Sequence, residues 1–214
     1  MDIQERLTAF AMLGAEWVMW LLIVLSVVCV AIILERAYYF FSSKDDARAL
    51  QAALRAKLKK GDADGAAAAL KKSSSFEARV ALAALEIVPS GPAAVEERIR
   101  GERVVAKAEM ERNLAFLGTV GNNAPFVGLL GTVIGIIQAF AELNDSQGQV
   151  TTGLMATVGE ALVATAIGIL VALPAVGAYN FYQRLIKGRL VWADALGSDV
   201  LVHLRSENNE PEED

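Results

Sequence analysis

One cysteine and one histidine occur among 214 residues, and neither stands in company. Cys29 lies inside an apolar run, so no disulfide framework can form within the chain. A lone buried cysteine behaves as a small hydrophobe. His203, near the C-terminus, has no cysteine or histidine around it, whereas a zinc site needs several such ligands. Positive charge is also short. The formal net charge is −5, the opposite of what a nucleic-acid binder carries, so no nucleic-acid partner is expected. No nucleophile–base pair and no metal-ligand set is visible, so the sequence gives no reason to expect an enzyme or a cofactor. Part of the negative charge comes from Ser206 to Asp214, with five acids and no base, which reads as a solvated tail.

What is abundant is apolar. Hydrophobic residues make up 54% of the chain and mean hydropathy is +0.39, yet 21% of residues are charged. Such a mixture means apolar blocks alternating with polar ones. Trp17 to Leu34 is an uncharged run of eighteen residues, just long enough to cross a bilayer. Asp2, Glu5, Arg6 and Glu16 precede it, so it lacks the basic start of a signal peptide and reads as a retained span. Its bulky Trp, Leu, Ile and Val content suggests a lipid-facing helix. A second run extends from Leu114 to about Ala141 and a third from about Leu154 to Phe181. The short segment between them is polar and free of Lys and Arg, as in an antiparallel helical hairpin.

Basic residues set the orientation. Arg36, Lys44, Arg48, Arg55, Lys57, Lys59 and Lys60 follow the first run, and Arg184, Lys187 and Arg189 follow the third. By the positive-inside rule the N-terminus is outside and the C-terminus inside. The expected organisation is a periplasmic N-terminus (1–16), a first transmembrane helix (17–34) and a cytoplasmic helical domain (35–113). A second transmembrane helix (114–141), a periplasmic loop (142–152), a third transmembrane helix (153–181) and a cytoplasmic C-terminal helix with an acidic tail (182–214) complete it. The fold class is an all-α membrane protein whose long helices extend into a helical cytoplasmic domain.

Within that domain Leu50, Leu54 and Leu58 recur at i, i+4, i+8 and make one apolar stripe. Gly61 to Gly65 is a turn signal ahead of an alanine-rich helix, and the next helix, from about Ser75, is broken at Pro89 to Pro92. From Ala93 a charged run with Gly101 as its one weak point is expected to continue into the second span as a single helix. Its charges read as a solvated face with i,i+4 pairs.

The second and third runs differ from the first. Gly121, Gly128 and Gly135 fall at seven-residue steps, and Gly131 with Gly135 forms a GxxxG pair. The third run is dense in Gly and Ala. Such stripes let helices approach closely, and their density suggests more helices than one chain supplies, hence an oligomer. Pro125 and Pro174 kink their helices or mark where they splay.

Glu160 lies mid-span, where an acid costs about 2.5–3.5 kcal/mol on insertion scales, so it should face a bundle interior or water. Desolvation favours its neutral form, which suits a group that gains and loses protons. Thr132, Thr157 and Thr165 supply hydroxyls that both donate and accept. If the hairpin turns near Ser146, Thr132 and Glu160 share a level and Thr165 lies about 7 Å deeper. Thr165 is about 140° around the helix from Glu160, so one face cannot present both. A membrane threonine can equally bond its own i−4 carbonyl, and a membrane Glu can simply clamp a neighbouring helix.

The run Ala124-Pro125-Phe126-Val127-Gly128-Leu129-Leu130-Gly131-Thr132-Val133-Ile134-Gly135-Ile136 resembles the second-span signature of the MotA/TolQ/ExbB proton-channel family, on its ExbB/TolQ side. Gly159-Glu160-Ala161-Leu162-Val163-Ala164-Thr165-Ala166-Ile167-Gly168, followed by Leu173-Pro174-Ala175-Val176 and Tyr179-Asn180, is similar to the third-span signature. The resemblance implies a subunit of a proton-motive-force-driven motor or stator in the bacterial inner membrane. It implies a homo-oligomer, a pentamer, around a single-span ExbD/TolR-like protein that carries a membrane Asp. Thr132, Glu160 and Thr165 match the family's proton pathway. Thr and Glu oxygens suit Na+ as well as H+, and the resemblance favours protons. The alternative is a non-conducting oligomeric scaffold for a partner protein.

Overall fold

The computed structural model describes residues 14–43 and 45–207. The start of the N-terminal segment with Arg6, and the acidic residues 208–214, lie outside the described residues. Among those described the chain forms seven α-helices and one short 3-10 turn, Val88–Ser90. The helices are α1 (Glu16–Ser42), α2 (Ala47–Leu58), α3 (Ala63–Lys71), α4 (Phe76–Leu85), α5 (Pro92–Glu111), α6 (Leu114–Asp145) and α7 (Thr152–Glu207). Three helices, α1, α6 and α7, are long and apolar enough to cross a membrane. The chain divides into two compact units, one of residues up to Glu35 with Asn113–Asn180, the other of Arg36–Arg112 with the residues from Phe181 on.

Short polar side chains start the small helices of the second unit. Asp46 accepts the backbone N–H of Arg48 and Ala49, Asp62 that of Gly65, and Ser75 that of Ala78. Each satisfies a donor that the first helical turn leaves open. The Lys57 ammonium, 2.8 Å away, and the Gly65 N–H hold the Asp62 carboxyl below the usual carboxylate range. Pro92 opens α5, directly after Gly91 at φ +88°.

The charged helix does not run on into the second span. α5 ends at Glu111, Arg112 takes an extended ψ of 133°, and Asn113 adopts the left-handed conformation at φ +63° before Leu114 starts α6. Asn tolerates that region better than most residues. Gly101, the suspected weak point, lies inside α5 with open space around it.

Leu54 and Leu58 of the stripe are buried, with Leu50 packed beside them. They join Leu70, Val80, Val95 and Ile99, and from α7 Ala193, Leu196 and Val200, in one core. Ion pairs tie this unit at its surface: Arg55 to Asp199 at 2.9 Å and Arg103 to Asp194 at 3.0 Å. One polar cluster is interior. Arg189, 8% exposed, donates to the hydroxyl and the carbonyl of Ser43 at 2.9 and 2.6 Å, with Nε 3.7 Å from Glu77 Oε1.

In the first unit α1 is two-sided, not lipid-facing throughout. Val18, Leu22 and Cys29 are buried, while Trp20, Val24 and Val27 on the other side are exposed. Val18 packs on Gly131 of α6. α6 and α7 form the antiparallel hairpin, and both helices continue through their prolines, Pro125 and Pro174. α6 runs one turn beyond its apolar stretch, to Asp145, leaving residues 146–151 for the turn.

Candidate functional site

The close contact between α6 and α7 is built on glycine. A methyl group added at Gly128 would lie 2.7 Å from the Ala164 carbonyl oxygen and 3.0 Å from the Thr165 Cα. At Gly168 it would lie 2.6 Å from the Ala124 carbonyl oxygen. The two glycines face each other, so the backbones meet where side chains would hold them apart. Gly131 and Gly135 extend the seam onto the Ala164 and Ala161 methyl groups. The glycine stripe of α6 therefore packs within the chain, against α7, rather than waiting for another copy. Small residues elsewhere on α7 are open: Gly159 and Gly177 have nothing within 4 Å of an added Cβ.

That approach brings Thr132 and Thr165 together. Their hydroxyls are hydrogen-bonded to each other. Thr132 also stands 3.1 Å from the Ala161 carbonyl and 3.4 Å from that of Gly128, and Thr165 stands 3.2 Å from the Gly128 carbonyl. Two hydroxyl protons thus serve a chain of oxygens in either of two senses. Thr132 can donate to Thr165 while Thr165 donates to the Gly128 carbonyl. Alternatively Thr165 donates to Thr132 while Thr132 donates to the Ala161 carbonyl. A hydroxyl pair that can reverse its polarity is the chemical requirement for passing a proton along. The i−4 bond expected of a membrane threonine is present at Thr132 as the longest of its contacts.

Glu160 sits apart from this pair. It precedes Ala161, whose carbonyl faces Thr132, so Glu160 and Thr132 share a level along the hairpin. Its side chain points away from the seam: Ala161 and Ala164 are fully buried, while Glu160 is exposed on the chain's own surface. Among the described residues it has no hydrogen-bond or ion-pair partner. It stands on an apolar helix surface beside exposed Leu162 and Val163, where a polar group is costly in a membrane.

Thr157, one turn before Glu160, donates to Glu142 Oε1 at 2.9 Å, and its own i−4 carbonyl, Gly153, is 3.2 Å away. This clasp closes the loop end of the hairpin. Glu142 belongs to the last turn of α6 and not to the loop expected at 142–152. The available signal was the hairpin pairing itself, which sets the last turn of α6 against the first turns of α7. Pro125 is part-buried and Pro174 exposed.

The family described as the MotA/TolQ/ExbB proton channel family matches residues 72–191, more than half of the chain. Among individual proteins, the chain is similar to the biopolymer transport protein ExbB of Neisseria gonorrhoeae. They are 37% identical over 112 residues, 52% of this chain and 51% of that protein. ExbB of Xanthomonas campestris pv. campestris is 36% identical over 106 residues, 50% of this chain and 42% of that protein. A putative ExbB-like protein 2 of Helicobacter pylori is 43% identical over 75 residues, 35% of this chain and 50% of that protein. The chain spans about half the length of these relatives or less. The family match takes in α4, α5, α6 and the part of α7 that carries Glu160 and Thr165, and the chain belongs to the MotA/TolQ/ExbB proton channel family.

Proposed function

We propose that the chain is a proton-conducting subunit of an ExbB/TolQ-type complex in the bacterial inner membrane, and that Thr132, Glu160 and Thr165 carry its part of the proton path. The observation that supports this most is the reversible Thr132–Thr165 hydroxyl pair, at the level of an unpaired intramembrane carboxylate. The pair provides a relay and Glu160 a group that can bind the proton. Glu160 faces off the chain, which suits a path completed by other subunits. In this reading five copies surround a single-span ExbD/TolR-like partner whose membrane Asp supplies the other titrating group. One proton crossing yields about 2.3 kcal/mol per 100 mV. That is the scale of a few interhelical contacts, enough to drive a small rotation between subunits. The N-terminus is periplasmic and the C-terminus cytoplasmic, as the distribution of basic residues argues.

The test is proton uptake into proteoliposomes holding the complex purified from its host with its partner. Glu160→Gln and Thr165→Val should each abolish flux while leaving copurification of the partner intact. Normal flux in both variants would overturn the site assignment. Recovery of the chain alone, together with normal behaviour of Glu160→Gln, would favour the non-conducting scaffold.

A further inference from the structure

The second unit contains a half-open cavity of about 840 Å³, within the roughly 300–1,000 Å³ range of small-ligand sites. Its walls come from the end of α1, the start of α2, Glu77 of α4 and residues 181–192 of α7. Five aromatic residues line it: Phe40, Phe41, Phe181, Tyr182 and Trp192. Phe40 and Tyr182 are buried and stack at 5.5 Å, forming a fixed floor. Phe41 and Phe181 are 74% and 55% exposed, so the apolar wall is not covered by the chain.

The charged groups on the same wall divide sharply. Asp45 accepts from the Ser73 hydroxyl, Asp46 is held by the N–H groups of Arg48 and Ala49, and Glu77 lies beside Arg189, itself bound to Ser43. Every acid and one base therefore have partners inside the chain. Arg48 and Arg184 have none among the described residues, and both are exposed. An apolar aromatic slot bordered by two unpaired guanidinium groups matches an amphiphile with a phosphate at the end of an acyl chain. The wall residues of α1 and α7 begin where the apolar runs stop, Ala37 soon after Leu34 and Phe181 at the end of the third run. Aromatic and basic residues collect at that depth of a membrane protein because headgroups lie there.

We infer that this cavity binds a membrane phospholipid, with its phosphate on Arg48 and Arg184 and an acyl chain against Phe41, Phe181 and Trp192. This goes beyond the proton path and does not depend on it. Trp192 provides the readout, because the chain has only two other tryptophans, Trp17 and Trp20. The full chain carrying Trp17→Phe and Trp20→Phe is purified in a non-ionic detergent. It is then titrated with phosphatidylcholine brominated on one acyl chain, or with diacylglycerol bearing the same brominated chain. The phospholipid should quench Trp192 at concentrations on the order of tenfold lower than the diacylglycerol. Adding Arg48→Gln with Arg184→Gln should remove that advantage and leave diacylglycerol quenching unchanged. The side chains of these two arginines make no hydrogen bond or ion pair among the described residues, so the variant should keep its fold, which circular dichroism checks. Equal quenching by the two lipids, or an unaltered phospholipid titration in the double variant, would overturn the inference. So would an unquenched Trp192 whose emission shifts with protein concentration, since that would mean a second copy covers the slot.

Discussion

The two units of this chain are held together by opposite means. The hairpin of α6 and α7 coheres by removing side chains: Gly128 against Gly168, and Gly131 and Gly135 against alanine methyls, bring backbone to backbone. The helical unit of α2 to α5 with the end of α7 coheres by adding them. Leucine, valine and isoleucine interdigitate in its core, and ion pairs cross its surface. The difference follows from solvent. In water, burying apolar side chains is favourable in proportion to area. Among lipid tails it gains little, so close van der Waals contact and interhelical hydrogen bonds carry the association instead. The hydroxyls of Thr132 and Thr165 meet because the glycines let the helices come that close.

The comparison can be broken most severely at the buried charge of the helical unit. Glu77→Ala leaves Arg189 buried without its carboxylate and should cost about 3–5 kcal/mol, read as a lowered melting temperature of the detergent-solubilised chain. Replacing both residues with apolar ones of similar volume should recover most of the loss. Leu196→Ala, at a fully buried core position, should cost about 2–5 kcal/mol in the same measurement.

In the hairpin the opposite change is the damaging one. Gly168→Ala adds a single methyl against the Ala124 carbonyl and should cost about 1–3 kcal/mol. It should also part the Thr132–Thr165 pair, so proton flux falls further than stability does. Gly159→Ala, on an open face of α7, should change melting by less than about 0.5 kcal/mol. If these two glycine variants behave alike, the seam is not what holds the hairpin.

The smallest expected effect sharpens the electrostatic side. The folded Asp62 carboxyl titrates below its ordinary value of 3.8. Its charge therefore stabilises α3 above that pH, and the contribution fades as pH falls through the lower folded value. Asp62→Asn keeps a capping oxygen but not the charge. Its helical circular dichroism should trail wild type slightly at neutral pH and converge with it as pH falls through that lower folded value.

Much of this arrangement was legible in the residues. The i, i+4, i+8 leucines of α2, the Ser75 start of α4 and the break at Pro89–Pro92 all depend on local pattern, and each appears at its place in the structure. The matching level of Thr132 and Glu160 followed from counting residues about a hairpin turn. The stop at Asn113 was not legible, because a single left-handed Asn between two helices leaves no periodic trace. Nor was the partner of the glycine stripe: the pattern says that a helix comes close, not whether it belongs to the same chain. The Glu142–Thr157 clasp was missed for a related reason, since it joins the ends of two helices rather than two positions on one.

The sequence by itself determined three apolar helices, a helical segment between the first and second of them and membership of a proton-channel family. Those features rest on composition, period and short motifs, which are local along the chain. Only the tertiary structure decided that the Thr132 and Thr165 hydroxyls meet, that Glu160 turns outward from them, and that Arg48 and Arg184, unpaired among the described residues, stand beside an aromatic slot. Those are facts about which surfaces touch, and contact depends on how backbones pack in space rather than on the order of residues.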